Sequence, residues 1–142
     1  LYDRAITDGR ALERFRDLVA AQGGDARTID HPDMLPQAKE RIVISSPDSG
    51  YVGSIHAGQI GCAAVLLGAG RMTVESTNDP SAGIVFHRKT GDRVQKNDPL
   101  CELRFGPKAA RAEGEFLIRD AIRITSEAPA PKPLILERIE RP

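Results

Sequence analysis

An apolar, alanine-rich run, GQIGCAAVLLG at 58–68, sits between short β-rich runs on both sides. Ile60, Ala63, Ala64 and Leu67 recur at the spacing of one helical face, so the run reads as a helix. Gly61 and Gly68 would let a neighbour approach that helix closely. RIVISS (41–46) precedes it as a strand, and so does GYVGSIHA (50–57), where Tyr51, Gly53 and Ile55 alternate with Val52, Ser54 and His56. Beyond it, MTVES (72–76) is a strand candidate and TNDPSAG (77–83) a turn. IVFHRK (84–89) is a strand, TGD (90–92) a turn, and RVQKNDPLCELRF (93–105) a turn leading into another strand. A helix among so many short strands argues against a parallel βαβ series and predicts an α+β fold.

Two more helices are predicted. Near the start, Thr7 or Asp8 can cap a helix whose apolar stripe is Ala11, Leu12, Phe15, Leu18 and Val19. Gly23 and Gly24 stop it, and Arg10, Glu13, Arg14, Arg16 and Asp17 form its solvated face. Residues 25–41 hold two prolines and many turn formers, which marks a linker or extended crossover; His31 falls in that loop. The other helix spans 108–121, with Ala109, Ala112, Phe116, Leu117 and Ile118 apolar. AIRITS (121–126) reads as a strand and EAPAPKP (127–133) as a stiff connector. LILERIE (134–140) is a last strand or a tail that needs something to pack on.

With 142 residues the chain has the size of one domain, or one domain plus an attached segment. That length buries about two thirds of its unfolded surface, so folding requires no disulfide or metal. Twenty basic residues balance twenty acidic ones, which argues against nucleic acid as the main partner. No apolar stretch approaches a membrane span of ~20 residues, and no signal peptide opens the sequence. Cys62 and Cys101 lie in apolar surroundings and read as small core residues of a reducing compartment, so a cytoplasmic location is expected. His31, His56 and His87 are scattered and there is no CxxC, so zinc is not expected.

Chemistry is harder to find. GAGR (68–71) suggests a phosphate loop, but these glycines follow a helix and so lie at its carbonyl end. GxSxG and HExxH are absent. Asp92 and Asp98 flank a tight turn, where Asp commonly bonds its own backbone. Cys62 lies within a helical stripe and reads as a buried, inert thiol. No catalytic, cofactor-binding or metal-binding residue is assigned, and no cofactor is expected.

Three collinear runs do resemble a known family. DGRALERFRDLVAAQGGD (8–25), GQIGCAAVLLGAGR (58–71) and DPSAGIVFHRKTGDRVQKNDPL (79–100) resemble, in order and spacing, blocks of the pyrimidine-nucleoside phosphorylases, which include thymidine phosphorylase. The likeness runs from about Thr7 to about Glu140. The family usually has Lys-Gly-Asp where this chain has Lys96-Asn97-Asp98; Asn tolerates the left-handed conformation, so the turn can survive. The resemblance implies an enzyme that cleaves pyrimidine nucleosides with phosphate to free base and pentose 1-phosphate. It implies that residues 1–30 end the central α/β domain and 31–142 form the C-terminal domain, an α/β-hammerhead related to barrel-sandwich hybrids. The expected partners are the rest of the parent chain and the phosphate and nucleoside that it binds. The family's catalytic signature, phosphate loop and base-binding residues lie upstream of these blocks, so no catalytic residue carries over.

The competing reading is a carrier or binding module. KTGDRVQKNDPL is also similar to the Gly-Asp-x-Val turn of biotinyl and lipoyl domains. Those display one modified lysine with characteristic flanks, which Lys108 and Lys132 lack; Lys89, Lys96 and Lys108 are expected to be unmodified.

Overall fold

The computed structural model describes every residue except Leu1, Met72, Lys108, Lys132, Leu134, Leu136 and 140–142. It divides into two compact units, Leu1–Gln37 and Ala38–Pro142.

The first unit holds α1 (Tyr2–Thr7), α2 (Arg10–Ala21) and two 3-10 turns, Ala26–Ile29 and Pro32–Met34. Asp8 accepts the first amide of α2, as expected of a capping residue, but the N-cap position itself is not Thr7 or Asp8. Gly9 takes that position with φ 81°, a left-handed conformation that a side chain would resist. Thr7 Oγ1 instead donates back to the Arg4 carbonyl at 3.2 Å, while Asp8 accepts the Arg10 amide and its guanidinium Nε. The crossover is tied locally: Asp25 accepts from the Arg27 amide and side chain, which lowers its carboxyl pKa to about 2. None of the described residues of this unit is buried. The α2 stripe is thus half open, with Leu12 46 %, Phe15 51 % and Leu18 51 % exposed.

The second unit carries β1 (Glu40–Ser45), β2 (Gly50–Ile55), α3 (Ala57–Ala64), β3 (Gly83–Phe86), β4 (Arg93–Val94), β5 (Pro99–Phe105), α4 (Arg111–Ala121) and β6 (Ile122–Thr125). Two three-stranded antiparallel sheets result, in the orders β1-β5-β3 and β4-β2-β6. The fold is α+β.

The strand β5 serves both layers. Cys101, Leu103 and Phe105 enter one core with Ile44, Ala63, Leu67 and Ile118, whereas Leu100 joins Val52 and Val94 in a second. Ile122 touches both clusters. Ile84 pairs with Leu103, whereas Val94 lies in the other sheet and packs with Val52. The chain changes sheets at Thr90–Asp92, because Gly91 donates to the Val52 carbonyl and Val52 donates to the Asp92 carbonyl.

Several local expectations are corrected. Thr73–Ser76 is a turn and not a strand: Ser76 Oγ accepts the Thr73 amide and donates to its carbonyl, leaving those groups unavailable to a ladder. Met72 lies outside the described residues. Gly61 is not a close-approach glycine; a Cβ there would meet nothing within 4 Å. That role falls to Gly114 of α4, which packs on Leu67. On α4 the buried residues are Gly114, Ile118 and Ala121, while Phe116 is 68 % exposed. Cys62 is exposed, not buried, since α3 turns Ala63 and not its neighbour into the core. The expected strand or tail at 134–140 lies in part outside the described residues.

Candidate functional site

The helix α3 organises the surroundings of the glycine run. His56 caps its start: the Nδ1 atom accepts the Gln59 amide at 3.2 Å, and the His56 amide donates to the Ala121 carbonyl. At its other end the helix widens into a π turn at Val65–Ala69, the kind of distortion often found at functional sites. Gly68 ends it with φ 105°. The freed carbonyls are taken up, Gly68 O by the Asp79 amide and Leu66 O by the Ala110 amide.

A cavity of about 430 Å³ opens beside that turn, lined among others by Val65, Leu66, Gly68, Asp79, Pro107 and Ala110. Among the described lining residues its ionisable group is Asp79, which sequence reasoning passed over as part of a turn. One carboxylate oxygen accepts both the Ser81 amide and hydroxyl, so Asp79 is held below the usual carboxylate range. A helix carbonyl end and a carboxylate both repel phosphate, so GAGR at 68–71 has no anion-binding geometry. Arg71 is exposed.

The second flagged region is the 89–98 loop. Asp92 accepts the Lys89 amide at 2.7 Å and Asp98 accepts the Gln95 amide at 3.1 Å. Gly91 has φ 97° and Asn97 φ 72°, as the turn chemistry requires. Lys89 and Lys96 lie on this surface; Lys108 and Lys132 are outside the described residues.

Another group that the sequence did not mark is Glu102, at the centre of the β1-β5-β3 sheet. It accepts from Arg104 Nε at 2.7 Å and sits 3.9 Å from Arg41 Nη1. The Arg104 hydrogen bond, with the charges of Arg104, Arg41 and His87, holds its carboxyl below the ordinary value. The pattern Glu-x-Arg on a strand places both on one face, which is the signal that could have shown it. Burial pushes the Cys101 thiol up to about 11. Among the described residues, no group of three His, Cys, Asp or Glu side chains could hold a metal ion, and no helix is long and apolar enough to cross a membrane.

The geometry therefore defines an α+β domain whose ionisable groups serve turns, caps and a surface ion-pair cluster. The sequence comparisons say whose domain it is. The pyrimidine nucleoside phosphorylase C-terminal domain family matches residues 51–124, and the chain belongs to that family. It is 42 % identical over 130 residues to a pyrimidine-nucleoside phosphorylase of Bacillus subtilis, covering 92 % of this chain and 30 % of that protein. It is 46 % identical over 103 residues to one from Geobacillus stearothermophilus (72 % of this chain, 24 % of that protein). Against a Staphylococcus aureus pyrimidine-nucleoside phosphorylase it is 45 % identical over 99 residues, 70 % of this chain and 23 % of that protein. The chain thus spans less than a third of the length of these relatives.

Proposed function

We propose that the chain works as the C-terminal domain of a pyrimidine-nucleoside phosphorylase. The whole protein would convert a pyrimidine nucleoside and phosphate into free base and pentose 1-phosphate, with the reacting groups outside residues 1–142. The identity of 42 % across 92 % of the chain carries this reading. In its finer form, residues 1–30 end the central α/β domain, residues 31–142 form a hammerhead-type domain, and the parent acts in the cytoplasm.

The domain's role is then to pack against the α/β domain and stabilise the arrangement that closes over substrate. Support comes from the first unit, where Leu12, Phe15 and Leu18 stay half exposed at helical spacing and none of the described residues is buried. A contiguous apolar face of this kind marks a contact surface. Hydrogen exchange on the chain at high dilution tests it: α2 amides should exchange well before those of β5. Equal protection of α2 and β5 would contradict a helix awaiting its partner.

A further inference from the structure

The cavity beside the π turn that ends α3 has the make-up of a small-molecule site. Its volume of about 430 Å³ falls in the range of ligand pockets, and its walls are mostly apolar, among them Val65, Leu66, Pro107 and Ala110. Glycines hold the space open. A Cβ at Gly70 would stand 2.6 Å from Val65 Cγ2, and one at Gly106 would stand 2.8 Å from Asp79 Oδ2. Asp79 is pinned through its other oxygen, since Oδ1 accepts the Ser81 amide at 2.9 Å and the Ser81 hydroxyl at 2.6 Å. That leaves Oδ2 at a set position beside Gly106, and Asp79 forms no ion pair among the described residues.

The charge of the cavity has one sign. The carbonyl end of α3 favours a cation. Leu66 O and Gly68 O each accept one amide and keep a second lone pair. The start of α4 lies on the same wall, but the Ala110 amide is spent on Leu66 O and Glu113 balances the first turn. Asp79 is thus the one full charge among the described lining residues.

We propose that this cavity binds a small organic cation, a protonated amine or amidine carried on a compact apolar body. The cation donates to Asp79 Oδ2 in a charge-assisted hydrogen bond, and the apolar body fills the space between Val65, Leu66 and Pro107. An apolar cavity of ~150 Å³ already admits a benzene-sized ring, so a ring and an ammonium group fit here together. Every residue of the site belongs to the second unit, so the inference does not depend on the activity of the parent protein.

Amide NMR of the full chain titrated with benzylammonium tests the proposal, with benzyl alcohol and benzoate as probes of similar shape and different charge. Benzylammonium should give saturable shifts at Gly68, Asp79, Gly106 and Ala110, and benzoate none. Asp79→Asn can keep the Ser81 bonds, yet it should weaken benzylammonium binding by about tenfold or more, the worth of a charged hydrogen bond. Gly106→Ala retains the carboxylate and needs no left-handed backbone, so its methyl should block binding while the β1 and β5 amides stay in place. Equal binding of benzyl alcohol, or binding unchanged in Asp79→Asn, would overturn the proposal by leaving an apolar pocket only. No saturation by ~10 mM benzylammonium would also overturn it. So would binding seen only in Lys108→Ala, which would make the chain's own lysine the occupant.

Discussion

Gly114 of α4 lies so close to Leu67 that a Cβ at position 114 would stand 3.1 Å from Leu67 Cδ2 and 3.2 Å from its Cγ. Leu67 is 1 % exposed and packed into the larger core, so a shift of its side chain disturbs that packing. Gly114→Val should therefore cost about 1–3 kcal/mol by overpacking, read as a fall in the urea midpoint at unchanged slope. Gly61→Ala on the opposite helix meets open space and should stabilise by up to about 1 kcal/mol through helix propensity.

The sheet switch at Thr90–Asp92 depends on backbone conformation and not on space. Gly91 has φ 97° with nothing within 4 Å of a built Cβ, so the whole cost of Gly91→Val is strain, about 1–3 kcal/mol. Lys89→Ala and Lys96→Ala should stay within about 0.5 kcal/mol as surface changes. Intact-mass measurement after expression with biotin and lipoate ligases should show no addition on any lysine; one stoichiometric addition would favour a carrier domain.

His56 holds the first turn of α3 through Nδ1. His56→Ala should cost about 0.5–2 kcal/mol, whereas His56→Asn, another side chain able to cap, should recover most of it in thermal unfolding.

The elements were legible in the sequence where patterns were local. β1, β2, β3, β5, β6, α3 and α4 stand within a few residues of the expected runs, because alternation and helical spacing report directly on half-buried elements. What periodicity misses is long-range pairing. Nothing local in IVFHRKTGDRV says that Val94 leaves Ile84 to join Val52 in another sheet. Hydrophobicity likewise placed Cys62 and Phe116 inside, though only the helix's rotation against its neighbour decides which side is buried. Asp79, His56 and Glu102 escaped notice because each acts through a partner that the fold supplies. The family blocks were legible because their order spans the chain.

The two thiols should report that rotation. Exposed Cys62 should react with an aromatic disulfide in the native protein, and Cys101 only on unfolding. Cys101 also sets an alkaline limit. Its folded pKa, about 11, lies above the ordinary thiol value of 9.0, so the unfolded chain gives up its proton first. Its contribution to stability is complete below pH 9 and is lost as pH rises toward 11. Cys101→Ala should flatten unfolding stability over that window while lowering it overall.

Glu102 sets the opposite limit. Its folded pKa is depressed by Arg104, so its contribution is complete above the ordinary carboxylate range and is lost as pH falls through the folded value. Denaturant titrations at a series of acidic pH values should show a shallower loss of stability for Glu102→Gln than for the parent chain.

Phosphate-dependent release of labelled base from thymidine and uridine tests the central claim most directly. The account places the reacting groups outside residues 1–142, so the chain alone should release no base above a buffer blank. Turnover by the isolated chain, abolished by a substitution within it, would contradict the account.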